Sequence, residues 1–180
     1  NHNTGQLYQP GDADAFWQLI SVPDSAVNIT VPRPAYVIPS EPIIFGGNPF
    51  FNVWAENEPN SGWISGQPIN SWSVNGGPYT MERCFCICEP GEYTINLEVW
   101  ADDQVDLYLY DDFGTQILNI GTAIGFAYNS NGTLFSPTIF LDEGSYCLQA
   151  ELFNTSSTAM GLNIQGAIEG AQLLTSVCCT

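Results

Sequence analysis

Three cysteines stand at alternate positions, Cys84, Cys86 and Cys88, and three more, Cys147, Cys178 and Cys179, lie far along the chain. Period-2 spacing is that of a β-strand, and it puts the three sulfurs on one face with Phe85 and Ile87 on the other. Same-face neighbours on a strand lie about 6.5–7 Å apart, at the limit of disulfide reach. The expected partners of Cys84, Cys86 and Cys88 are therefore Cys147, Cys178 and Cys179, in a disulfide frame suited to an oxidising compartment. A zinc site would use C-x2-C or C-x4-C spacing, and C-x2-C does not occur. A nucleophilic cysteine needs a base, and the single histidine is His2, at the start of the chain.

The remaining chemistry-bearing types are carboxylates and tryptophans. Asp102, Asp103, Asp106, Asp111 and Asp112 form the densest acidic stretch. Oxygen-only ligands of this kind suit calcium, although the spacing is not that of an EF-hand; the alternative is a solvated acidic edge. No other cofactor is expected. Paired carboxylates could also serve a glycosidase, but acids are mostly surface residues and no G-x-S-x-G, H-E-x-x-H or P-loop motif accompanies them. No enzymatic activity is expected. Trp54, Trp63 and Trp72 lie in a Pro-, Gly-, Asn- and Ser-rich segment from Pro39 to Gly77. They read either as packing over one end of the fold or as a carbohydrate platform. The sequons at Asn28, Asn131 and Asn154 are taken as chance.

The formal net charge is -17 in 180 residues, with 19 acidic residues against two arginines and no lysine. Such a surface repels nucleic acid and anionic lipid. No apolar run reaches the ~18–20 residues of a membrane span. The start at Asn1, with the disulfide reading, gives the expectation of a secreted protein whose signal peptide has been removed.

The elements that must position these residues are strands. Tyr93 to Val99, Val105 to Leu109, Tyr146 to Leu152 and Leu162 to Ile168 alternate apolar and polar residues, with Gly166 allowing a bend. Phe16 to Val22 is the expected first strand. Turn signals separate them at Glu89-Pro90-Gly91, Asp111-Asp112-Phe113-Gly114, Asn131-Gly132 and Asp142-Glu143-Gly144. No segment carries capped 3.6-residue periodicity. The expected fold is all-β, an antiparallel β-sandwich or jelly roll stapled by disulfides, with a long aromatic-rich loop. Its expected divisions are an arm over 1–13, a sandwich over 14–170 and a cysteine-bearing tail over 171–180 packed on it.

Further motifs run through the chain in order. Asp14-Ala15-Phe16-Trp17 opens it, then come Ala35-Tyr36-Val37, Trp63-Ile64-Ser65, Pro78-Tyr79-Thr80-Met81-Glu82-Arg83 and Trp100-Ala101-Asp102-Asp103. This order, roughly Asp14 to Gly170, resembles a secreted bacterial β-sandwich module of cell-surface proteins, of galactose-binding-like or jelly-roll type. Asp103 stands where Asn is commoner, and the cysteines depart from the pattern. The resemblance implies a sandwich fold and secretion; it brings no catalytic residue.

The resulting expectation is an extracellular structural protein, a subunit of a surface filament whose partners are copies of itself. The polar arm would supply the contact by adding to a neighbour's sheet, anchored by Leu7 and Tyr8. A carbohydrate-binding or adhesion module is the alternative, and a glycan-active enzyme the third reading.

Overall fold

The computed structural model describes residues 3–5, 9–26, 28–38, 61–67, 75–124, 131–155 and 160–170, and the backbone of two short strands within 44–49. The described elements are strands β1 (Ala13–Ser21), β2 (Arg33–Val37), β3 (Ile44–Phe45), β4 (Asn48–Pro49), β5 (Ile64–Ser65), β6 (Gly77–Ile87), β7 (Gly91–Asp102), β8 (Gln104–Asp111), β9 (Gln116–Ile124), β10 (Thr133–Phe135), β11 (Thr138–Leu141), β12 (Gly144–Asn154) and β13 (Gly161–Gly170). All pairings are antiparallel. The fold is therefore the all-β antiparallel class that the alternation predicts.

One sheet has the order β10-β7-β13-β5-β2-β1-β6-β12-β8-β9, with β11 beside β10 on the edge of β7. It folds over on itself, so that β7 lies across from β8, β9 and β12, and β10 approaches β9. The join between the two layers is β5, only two residues long, which pairs with β2 on one side and with β13 on the other. The core fills the space between the layers. Leu107, Leu109, Leu148 and Ala150 face Ile95, Ile164 and Ile168 there, all fully buried. Each such large aliphatic side chain contributes about 1.5–3 kcal/mol by leaving water.

The strands begin in a repeated way. Tyr79 Oη donates to Asn75 O (3.0 Å), Tyr93 Oη to Glu89 O (2.7 Å) and Tyr146 Oη to Asp142 O (3.0 Å). In each case the carbonyl lies four residues upstream, at or just before the start of β6, β7 or β12. A buried ring thus fills the core while its hydroxyl satisfies the incoming turn, the logic of a tyrosine corner.

The β8–β9 hairpin closes as its composition predicts. Asp111 Oδ1 accepts from Phe113 N (3.0 Å) and Thr115 N (2.7 Å), and Gly114 supplies the residue with positive φ, at 75°. Gly166 lies inside β13 at φ 148°, and a Cβ there would meet Asn96 O at 2.0 Å. The bend expected at this glycine is thus a close approach between β13 and β7.

Candidate assembly site at the N-terminal segment

β13 has ten residues, but on the side of β5 it pairs only at Leu162, opposite Ile64. The edge beyond that point needs partners for its backbone groups, because unpaired buried N–H and C=O are costly. Asn3 and Thr4 provide them. Thr4 N donates to Ile164 O (2.9 Å), and Ile164 N donates to Thr4 Oγ1 (3.0 Å). On its other side Thr4 O accepts from Gly62 N (2.8 Å), and Thr4 Oγ1 donates to Gly62 O (2.6 Å). Asn3 Oδ1 accepts from Gly166 N (2.8 Å). Thr4 thus bridges β13 and the segment entering β5, and it is fully buried.

Three residues outside this edge complete the seat. Gly5 adopts φ 56°, and a Cβ there would lie 3.0 Å from the Gly62 backbone. Both the left-handed conformation and the close approach call for glycine. Gly5 N donates to Asp14 Oδ2 (2.6 Å), while Asp14 Oδ1 accepts from Phe16 N (2.8 Å) and Trp17 N (2.9 Å). The Asp of the opening D-x-x-W motif therefore ties the N-terminal segment to the irregular start of β1, and the Trp enters the core. Arg83 Nη1 donates to Asn3 O (3.2 Å), and its guanidinium lies 4.5 Å from the Phe16 ring centroid. Burial pulls the Arg83 pKa down, and the charge of Asp14 opposes that shift.

This geometry corrects the expectation of a free arm. Residues 3–5 lie hydrogen-bonded against the chain's own β13, which is left short of strand partners there. Leu7 and Tyr8, the expected anchors, lie outside the described residues. The sequence signals for the seat were Gly5 and Asp14, and neither could be read as a contact: Gly5 packs against Gly62, far along the chain, and no residue pattern between Gly5 and Asp14 pairs them.

The other candidate residues fall elsewhere. Cys84 and Cys147 form a disulfide between directly opposed positions on β6 and β12, with Cα atoms 4.0 Å apart. Cys86 and Cys88 are disulfide-bonded too; the expected partners Cys178 and Cys179 lie outside the described residues. Trp63 is fully buried: of the two readings for this residue, its place is that of packing beside β5 and not of an exposed carbohydrate platform. Trp54 and Trp72 lie outside the described residues.

The five aspartates are strung along β8 rather than gathered. Asp102 and Asp103 precede it, joined by a cis peptide bond; Asp111 is its last residue and Asp112 follows it. Eight residues of strand separate the ends by about 23 Å. Asp103 Oδ2 accepts from Thr155 N (2.7 Å), Asp106 Oδ1 accepts from Thr122 Oγ1, and Asp111 is taken up by the hairpin. The one group of three metal-ligating side chains found close together among the described residues is Glu82, Cys84 and Cys147, and both of its sulfurs are in the disulfide.

The described residues thus define a disulfide-stapled, all-β antiparallel domain whose sheet is completed by its own N-terminal residues. The chain matches no protein-family model and no curated protein. Similar solved structures include a CBM35 from Cellvibrio japonicus Abf62, at 10% identity and TM-score 0.43 over 91% of this chain and 95% of that one. A Paenibacillus sp. cycloisomaltooligosaccharide glucanotransferase has 11% identity and TM-score 0.35, over 61% of this chain and 15% of that one. A β-glucosidase from Kluyveromyces marxianus has 16% identity and TM-score 0.34, over 89% of this chain and 17% of that one. Likeness at this level carries no argument about function.

Proposed function

We propose that the protein is an extracellular structural subunit that assembles by passing its N-terminal segment from one copy to the next. The observation that carries this reading is the seat of Asn3, Thr4 and Gly5. It is a section of sheet edge completed by residues far in sequence from β13, held by two backbone–backbone hydrogen bonds and by bonds through the Asn3, Thr4 and Asp14 side chains. The same bonds form whether the tripeptide comes from its own chain or from a neighbour, as in strand addition. Exchange that proceeds head to tail does not close, so it gives a filament.

The balance between the two forms follows from concentration and charge. A tethered segment acts at an effective concentration of roughly millimolar order. Exchange between copies therefore requires local subunit concentrations of that order, as at a secreting surface. Repulsion between subunits of net charge -17 opposes it, and salt screens that repulsion to within about 8 Å at physiological strength. The buried hydrogen bonds of the seat are screened far less than the repulsion between surfaces, so added salt favours the filament.

Negative-stain microscopy and sedimentation of the full chain, over rising protein and salt concentrations, test this reading. Fibres that grow with both are expected. A chain lacking residues 1–5 should form none. Full-length protein that stays monomeric throughout overturns the reading, as do fibres from the truncated chain.

A further inference from the structure

The outward face formed by β6, β12, β8 and β9 carries an arrangement that neither the core nor the assembly site uses. Leu107, Leu109, Leu148 and Ala150 are fully buried, so the alternate residues of β8 and β12 point away from the core. Gln149 lies between Glu82 on β6 and Tyr108 on β8, and Tyr108 is opposite Asn119 on β9. One row along, Cys147 lies between Cys84 and Tyr110. One row the other way, Glu151 lies between Thr80 and Asp106. Two aromatic rings therefore stand in the middle of a surface bordered by carboxylates and amides.

The rings and their borders are held in place. Tyr108 and Tyr110 meet edge to face, with centroids 6.3 Å apart and planes at 70°. Gln149 Nε2 donates to Glu82 Oε2 (2.7 Å). Asp106 Oδ1 accepts from Thr122 Oγ1, and its other oxygen accepts from Gln104 Nε2 at 3.5 Å. Neighbouring the rings, the disulfide Cys84–Cys147 ties β6 to β12. A site on paired strands loses little freedom when a ligand settles on it.

The chemistry of the face selects its occupant. Glu82, Asp106 and Glu151 make it negative, and the chain's two cations are not on it: Arg83 turns toward Asn3 and Phe16, and Arg33 toward Gly66 O and Tyr36. An anionic ligand is repelled. Glu82 and Asp106 already accept from neutral amide and hydroxyl donors, and a carboxylate retains further acceptor sites after one such bond. Hydroxyl donors match those sites, and amides such as Asn119 both donate and accept. The rings offer flat apolar area. Desolvation, then the charges of Asp106, Glu151 and Tyr110, hold the Tyr108 phenol above its ordinary value, so it remains a donor at neutral pH. We propose that this face, centred on Tyr108 and Tyr110 with Gln149, Glu82, Asp106 and Glu151 around them, binds a neutral oligosaccharide. The sugar stacks an apolar ring face on the tyrosines and donates its hydroxyls to the carboxylates.

The test uses the full chain as monomer, at low salt and low concentration, which separates it from assembly. Cellohexaose, xylohexaose and mannohexaose are titrated by calorimetry, with an oligogalacturonate and a lysine-rich peptide alongside. At least one neutral hexasaccharide should bind. Tyr108→Ala and Tyr110→Ala should each weaken it by about tenfold or more, with unchanged melting temperature. Tyr108→Phe should retain most of the affinity, and Phe140→Ala, an exposed ring on β11 (62% accessible), should leave it unaltered. No binding up to roughly millimolar concentration overturns the proposal. So do binding only to the acidic oligomer or the basic peptide, and full affinity in both alanine variants.

Discussion

At the scale of single residues, the N-terminal seat depends on two small side chains. Thr4→Val keeps the shape but removes the hydroxyl that joins Gly62 O and Ile164 N. Each buried backbone group left without a partner costs about 1–3 kcal/mol, so a loss of roughly 2–4 kcal/mol is expected in urea unfolding. Gly5→Ala puts a Cβ 3.0 Å from the Gly62 backbone at φ 56°. It should cost about 1–3 kcal/mol, and less in combination with Asp14→Ala than the sum of the separate losses, because the bond from Gly5 N to Asp14 is lost only once. A value near zero for both single variants would mean that the segment adds nothing to the fold. Asp14 could be read as part of the D-x-x-W strand opening. Its hold on Gly5 could not, since nothing in a polar N-terminus announces that its backbone completes a distant strand.

At the scale of elements, alternation did most of the work. β7, β8, β12 and β13 fall where apolar and polar residues alternate, and each extends past the alternating core by one to three residues. β6 could be read only as two pieces, a Tyr-bearing strand and the cysteine run; they form one strand, because β12 pairs with it continuously from Gly77 to Ile87. β9 was not legible: its register with β8 slips twice, near Gly121 and near Gln116, and the slips break the period. β5 is too short to carry any period, although it joins the layers. The tyrosines at the strand starts lead to a pH prediction. Burial raises the phenols of Tyr79 and Tyr146 above 10.0, and for Tyr146 nearby aspartates add to this. A phenol with a higher pKa folded than unfolded favours the neutral form in the fold. Stability is then full below about pH 10 and declines as pH rises through that value toward the folded pKa. Thermal melts between neutral pH and pH 11 should show this decline, and Tyr79→Phe should make it shallower. An equal decline in wild type and variant would assign the effect to other groups.

At the scale of the whole molecule, the sequence announced a sandwich and its disulfides, but not the order of strands, which rests on pairings between distant segments such as β13 with β5. The placement of the arginines has a further consequence for how the chain comes apart. Trypsin cuts after Lys or Arg and not before Pro, so Arg33-Pro34 resists it and Arg83-Cys84 is the single susceptible bond. That bond lies inside β6, paired with β12 on one side, and the Arg83 side chain is engaged with Asn3 and Phe16. Cleavage therefore requires β6 to leave the sheet. All six cysteines follow Arg83, so the nick separates a cysteine-free piece, 1–83, from one that contains every disulfide, 84–180. A non-reducing gel should show an intact chain while the fold stands and two unlinked bands once denaturant opens it. Cutting of the native protein at the same rate would contradict the pairing of β6. Every covalent tie belongs to the second half, and the first half, including the segment proposed to pass between neighbours, stays in place by packing and hydrogen bonds alone.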